Sequence, residues 1–201
     1  MIGVMNYGIG NIQSVKNALE KINERFVLIS RKADFNKADS IILPGVGSFG
    51  AAMQALDKKG LATPLKKSIL ADKKPFLGIC LGMQLLFEES EETQGINGLG
   101  IFKGKIKKFS MAKRIPQIGW NSLQITSKNS RLLKGIANNA DVYYINSYFA
   151  LPEQKAIISA YSKYAEKFPA AIESKNIFAT QFHPEKSGKI GLKILENFSG
   201  F

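Results

Sequence analysis

The chain has 201 residues, with 28 Lys and Arg against 16 Asp and Glu, one His and one Cys, and a net charge of +12. One cysteine cannot close an intramolecular disulfide, and one Cys with one His falls short of the roughly four ligands of a structural Cys/His zinc cluster. Hydrophobic residues at 45% suit a globular fold, no apolar run approaches the roughly 20 residues of a membrane span, and no secretory signal is visible, so a cytoplasmic chain with no membrane contact is expected.

Ile2 to Met5 is a short apolar run that ends in Asn6-Tyr7-Gly8-Ile9-Gly10-Asn11. Ile12, Val15, Leu19 and Ile22 then follow at helical spacing, predicting a helix over 12–22. Phe26 to Ile29 reads as a second strand and Ser40 to Leu43 as a third, stopped by Pro44-Gly45. Phe49 to Leu56 and Leu65 to Leu70 look helical, Pro75 to Ile79 is a fourth strand, and Leu81 to Glu88 another helix. Short apolar runs bounded by Gly and Pro, alternating with helices, imply βαβ units on a mostly parallel sheet. After about residue 100 the pattern changes. Lys105 to Phe109, Asp141 to Ile145, Ala156 to Tyr161, Ala170 to Glu173 and Ile177 to Gln181 are strand-like, and only Ser187 to Phe198 carries a helical apolar stripe. The expected fold is α/β: an open, mostly parallel sheet flanked by helices, with a mixed or antiparallel region in the second half. A division near residue 100 has no linker to support it, so one domain over residues 1–201 is expected.

Three strand ends carry chemistry. Gly78-Ile79-Cys80-Leu81-Gly82 places a thiol between glycines where a strand runs into a helix, the context of a nucleophile elbow. Glycines two residues before and after let strand and helix pack closely, and the first N–H groups of the helix favour negative charge on sulfur. The Leu81 N–H is placed to bind an oxyanion. A buried, inert cysteine is the competing reading; the glycine frame argues against it. Gln181-Phe182-His183-Pro184-Glu185 follows another strand. A thiol nucleophile needs an imidazole to move its proton, and the imidazole needs an acceptor to fix its tautomer. Glu185, two residues from His183, can lie on the same side of an extended chain. Pro44-Gly45-Val46-Gly47-Ser48 is a turn rich in free N–H groups, suited to an oxyanion and lacking the G-x-x-x-x-G-K-[ST] pattern of a phosphate loop. Open parallel sheets bind ligands beyond the carboxyl ends of their strands, where all three segments fall.

Together, Pro44-Gly-Val-Gly47, Gly78-Ile-Cys-Leu-Gly-Met-Gln84 and Phe182-His-Pro-Glu-Lys-Ser187 resemble the class I (triad-type) glutamine amidotransferases. Asn6-Tyr-Gly-Ile-Gly-Asn11, Pro116-Gln-Ile-Gly-Trp-Asn121 and Gly191-Leu-Lys add to the likeness, which spans essentially the whole chain and is strongest to the glutaminase subunits of imidazole glycerol phosphate synthases. The resemblance implies hydrolysis of L-glutamine to glutamate and ammonia, without cofactor or metal. It implies Cys80, His183 and Glu185 as catalytic residues, with Leu81 and Val46 at the oxyanion. Gly47, Gln84, Ser147 and Tyr148 would contact glutamine. Asn11, Trp120, Tyr143 and Lys186 would face a partner, a (β/α)8-barrel cyclase that makes imidazole glycerol phosphate and aminoimidazole carboxamide ribotide in histidine biosynthesis. For Trp120 the competing reading is a core aromatic, although Gly119 and Asn121 suggest a turn; Lys186 could equally be a solvated lysine.

One residue departs from the pattern: Asn146 stands before Ser147-Tyr148 where many members have His. A paralogous glutaminase feeding a sugar-modifying synthase is therefore the alternative assignment. A third reading, nucleic-acid binding, is suggested by the +12 charge. The lysines are scattered and do not alternate with aromatics, which favours a solvated surface and no nucleic-acid partner.

Overall fold

The structure, a computed structural model, describes residues 1–112 and 114–201. Thirteen strands and five α-helices are seen among them. The first half alternates β1 (Ile2–Met5), α1 (Ile12–Lys21), β2 (Phe26–Ile29), β3 (Ser40–Gly45), α2 (Phe49–Lys58), α3 (Ala62–Leu70), β4 (Phe76–Cys80) and α4 (Leu81–Gln84). The second half holds β5 (Glu89–Ser90), β6 (Gly104–Lys108), β7 (Gln117–Ser122), β8 (Gln124–Ile125), β9 (Asp141–Asn146), β10 (Tyr148–Pro152), β11 (Ile158–Tyr164), β12 (Glu166–Ser174), β13 (Ile177–Thr180) and α5 (Gly188–Ser199).

Eight strands form the main sheet in the order β2-β1-β3-β4-β13-β12-β11-β8. The first five run parallel; β12, β11 and β8 add an antiparallel wing. Strands β1, β3, β4 and β13 are buried at every position, as a parallel sheet covered on both faces requires. Alternation along them splits the core in two. Val4, Ile42, Leu77, Ile79 and Phe178 pack with Val15 and Leu19 of α1 and Ile194 and Phe198 of α5. Met5, Ile41, Leu43 and Phe76 pack on the other face with Met53 and Leu56 of α2 and Leu65 and Ile69 of α3. Two smaller sheets, β10-β6-β5 and β7-β9, complete the fold.

The expected α/β architecture is present, with local differences. The third strand does not stop before Pro44: Pro44 and Gly45 pair in parallel register with Ile79 and Cys80. The helix expected over Leu81 to Glu88 ends at Gln84. Beyond it the Leu85, Leu86 and Phe87 carbonyls accept N–H groups from Leu99, Ile101 and Gly100, long-range partners that replace the helical ones. Strands β7 and β10 were not expected from the sequence. Trp120 lies in neither a turn nor the core; it sits in β7, opposite Tyr143 of β9, and is 58% exposed.

Candidate active site

Strands β3, β4 and β13 are neighbours at the centre of the main sheet, and their carboxyl ends meet in register: Gly45 beside Cys80, Thr180 beside Ile79. The three segments singled out in the sequence therefore converge at one edge. Cys80 adopts φ 54° and ψ −108°, a strained backbone for a residue with a side chain. Its surroundings enforce the strain. A Cβ on Gly78 would come within 2.6 Å of the Gly82 carbonyl, one on Gly82 would run into the Leu43 carbonyl, and one on Gly45 would sit 2.8 Å from the Leu81 Cβ. Only glycine permits these approaches, which hold the elbow against β3.

The loop after β1 supports the same turn. The buried Tyr7 hydroxyl donates to the Pro44 carbonyl at 3.0 Å. Burial, then the negative charge on Cys80, push its hydroxyl well above the ordinary tyrosine range. Gly10, at φ 122°, lies where a Cβ would approach the Pro44 carbonyl at 3.3 Å. The Asn6–Asn11 motif thus braces the Pro44–Gly47 turn from behind.

His183 is 2% exposed, and its Nδ1 bonds to Glu185 Oε1 at 2.8 Å. Nε2 faces Cys80 and has no hydrogen-bond partner among the described residues. Burial alone would push the imidazole down. The negative charge of the nearby Cys80 and the hydrogen bond and charge of Glu185 outweigh it, raising the imidazole to about 10. The backbone is fixed as well: the His183 N–H donates to the Tyr143 carbonyl at 2.9 Å, and Ser187 Oγ donates to the His183 carbonyl while accepting the Tyr143 N–H. A Cβ on Gly191 would collide with the Pro184 carbonyl, so glycine lets α5 close on this segment.

A cleft of about 330 Å³ opens above the sulfur. Val46, Gly47, Cys80, Leu81, Gln84, Ser147, Tyr148 and His183, all anticipated, line it. Glu185 stands behind His183 with its side chain 2% exposed. Around the sulfur, the thiol donates to the Ile145 carbonyl at 3.7 Å, and Gln181 Nε2 donates to Sγ at 3.6 Å. Gln84 Nε2 donates to the Tyr148 carbonyl at 3.0 Å and to Gln181 Oε1 at 3.1 Å. Asn146 Nδ2 donates to the same Tyr148 carbonyl at 3.0 Å, so this departure from the expected pattern is built into the cleft wall.

Besides Asn146, the residues Glu92, Pro116, Ile145 and Gln181 were missed as site residues from the sequence. Glu92 lines the cleft and accepts the Phe49 N–H at 2.7 Å through one carboxylate oxygen. Gln181, which only flanks His183 in the sequence, lies against the sulfur. Nothing near Glu92 in the sequence marks it, since it reaches the cleft through the chain reversal after Gln84.

The other four anticipated residues do not line the cleft. Asn11 caps α1, its Oδ1 accepting the Ser14 N–H at 3.2 Å. Trp120 and Tyr143 stack edge to face, ring centres 5.7 Å apart. The half-buried Lys186 donates its backbone N–H to the His183 carbonyl. Beside Trp120, the same face of β7 exposes Ile118 (65%), and Ile115 and Met111 are exposed just before it. Pro116, next to Ile115, lines the cleft, so this apolar strip begins at the cleft mouth.

A family model described as glutamine amidotransferase class-I matches residues 4–199. The chain is 48% identical over 201 residues to the imidazole glycerol phosphate synthase subunit HisH of Methanocaldococcus jannaschii, spanning 98% of each. It is 44% identical over 201 residues to the subunit of that name from Bacillus cereus (strain G9842), spanning all of this chain and 94% of the other. Its fold superposes on a solved glutamine amidotransferase with a TM-score of 0.77 at 17% identity, over 98% of both chains. It superposes on a chain of PurLQS from Thermotoga maritima with a TM-score of 0.76 at 21% identity, over 99% of this chain and 97% of that one. These two likenesses show the fold; the family match and the full-length relatives show the descent: the chain belongs to the class-I glutamine amidotransferase family of enzymes.

Proposed function

We propose that this chain, as one amidotransferase domain over residues 1–201, hydrolyses L-glutamine to glutamate and ammonia. Ammonia passes to a (β/α)8-barrel cyclase subunit of imidazole glycerol phosphate synthase, in the cytoplasm. One observation carries the catalytic part: the only thiol sits on a strained elbow beside the only imidazole, and that imidazole is fixed by a buried carboxylate. The full-length relatives named as HisH subunits support the assignment to this synthase.

Glutamine binds with its α-amino and α-carboxylate groups held by Gly47, Gln84, Ser147 and Tyr148, and Glu92 faces the α-ammonium with its second oxygen. The Cys80 thiolate attacks the γ-carboxamide carbon, forming a C–S bond. The carbonyl oxygen becomes an oxyanion, held by the Leu81 N–H and the Val46 turn. His183 Nε2 donates its proton to the amide nitrogen, the C–N bond breaks, and ammonia leaves a γ-glutamyl thioester. His183, now neutral, takes a proton from water as the water attacks the thioester. The C–S bond breaks, glutamate departs, and the thiolate faces the imidazolium again. Glu185 fixes the tautomer and orientation throughout.

The partner docks over the apolar strip Met111, Ile115, Ile118 and Trp120, with Tyr143 beneath the indole and Asn11 and Lys186 at the rim. Exposed aromatic and aliphatic side chains of this kind are the usual anchors of an interface.

The test is ammonia release from L-glutamine by the chain alone and with a barrel cyclase subunit and its ligand. Low turnover alone and strong stimulation by the liganded partner are expected. Full activity in isolation contradicts the coupling, stimulation only by a sugar-modifying synthase contradicts the pathway, and no ammonia in any mixture contradicts the chemistry.

A further inference from the structure

Gln181 carries no assigned role in the mechanism above, yet it is fully buried and its amide touches the nucleophile. A buried carboxamide needs partners for both ends. Its Oε1 accepts from Gln84 Nε2, whose other acceptor is the Tyr148 carbonyl. A flipped Gln181 would face the Gln84 NH2 with its own NH2, donor against donor. The carboxamide is therefore oriented with its NH2 toward Cys80 Sγ, 3.6 Å away.

The two polar contacts of the sulfur favour opposite states. The Ile145 carbonyl accepts the thiol proton at 3.7 Å, and once that proton is gone it faces the sulfur as a second negative dipole. The Gln181 N–H donates into the sulfur, and this bond strengthens when the sulfur is charged. We propose that Gln181 is a positioning residue for the nucleophile: its NH2 holds the Cys80 sulfur and stabilises the thiolate, and Gln84 anchors it to the Tyr148 strand. Gln84 and Tyr148 line the cleft where glutamine binds, so a substrate that draws on the Gln84 amide acts on the sulfur through a single side chain. The inference rests on Cys80 being the nucleophile. Among the described residues, the other charged or titratable groups near the sulfur are His183 with Glu185 behind it, Glu92 and Tyr148 in the cleft wall, and the Tyr7 hydroxyl under the β3 turn. Of these, His183 can also donate to the sulfur through Nε2, but it gives that proton to the leaving ammonia, whereas Gln181 keeps its donor throughout.

The chain has one cysteine, so alkylation by iodoacetamide reports on Cys80 alone. Its rate is measured across pH for the wild-type chain, Gln181→Met and Gln181→Glu, with thermal unfolding to confirm that each variant is folded. On the rising limb of the wild-type rate–pH curve, Gln181→Met alkylates about tenfold more slowly at the same pH, from loss of one hydrogen bond to a charged group. Gln181→Glu is slower still, because a carboxylate replaces the donor. Both rejoin the wild-type rate at high pH, where the thiol ionises without help; that recovery separates loss of thiolate stabilisation from loss of shape. Rate–pH curves that overlay the wild type overturn the inference, and so does a deficit that stays constant at every pH. A wild-type thiol no more reactive than free cysteine removes the nucleophile reading itself, and the inference with it.

Discussion

The strand ends that hold Cys80 and His183 differ from the strands that wall the cleft. Strands β3, β4 and β13 are buried at every position and in register with one another. Strand β7 exposes alternate residues on one side, and β9, its partner, carries Asn146 and Tyr143 between its two faces. The first region cannot move without breaking the core on both faces of the sheet. The second is a two-stranded sheet whose Val142 and Tyr144 pack into the core, tied to the first by hydrogen bonds of Tyr143 with His183 and Ser187 and of the Cys80 thiol with Ile145. The lesson is a division of work: rigid parallel strands fix the reacting groups, and the exposed wall meets substrate and partner. Substitutions in the first region should abolish chemistry or folding. Those in the second should change affinity and coupling.

The largest effect is expected at the reacting groups. Cys80→Ala and His183→Ala should each lower glutamine hydrolysis by at least about 10⁴-fold in an ammonia-release assay, and the double variant should be little worse than either single one. Activity within tenfold of wild type in either variant would remove that residue from the mechanism. Glu185→Gln keeps the shape and removes the charge that fixes the imidazole, so kcat should fall by about 10²–10⁴-fold with KM little changed. An unchanged kcat would show that the carboxylate is structural only.

Packing comes next. Gly82→Ala places a methyl group against the Leu43 carbonyl. It should destabilise the chain by about 1–3 kcal/mol in urea unfolding, whereas Gly47→Ala, with open space around it but a positive φ, should cost less. Equal stabilities would mean that the elbow is not held by close packing. The smallest effect is expected at the cleft mouth. Trp120→Ala should weaken binding of the cyclase subunit by about 2 kcal/mol, or about 30-fold in titration calorimetry, and leave the melting temperature of the free chain unchanged. Loss of stability without loss of affinity would make Trp120 part of the core, against its 58% exposure.

Most of the first region was legible in the sequence, because its signals are local. The Gly78-x-Cys80-x-Gly82 frame, His183-x-Glu185 and the Pro44–Gly47 turn each state their chemistry within five residues. Their convergence follows from the rule that parallel strands gather ligands at their carboxyl ends. The wall was less legible because its structure is set by distant partners. Leu85-Leu86-Phe87 has the composition of a helix, but those carbonyls are taken by Leu99, Gly100 and Ile101. Gly119 and Asn121 look like a turn, but pairing with Tyr144 and Val142 holds them in a strand. Tyr148–Pro152 became a strand by pairing with β6. Glu92 and Gln181 carry no local signature, and only the folded chain brings them to the substrate cleft and the sulfur.

The central claim is that the sole thiol and the sole imidazole form one charge-coupled unit. Because there is one histidine, its imidazole resonances in an NMR pH titration need no assignment. An ordinary histidine loses its proton near pH 6.5. In the folded wild-type chain His183 should keep it through neutral pH and titrate near 10. In Cys80→Ala, burial is opposed by Glu185 alone, so the midpoint should move down. A wild-type midpoint near the ordinary value, unchanged by Cys80→Ala, would contradict the account.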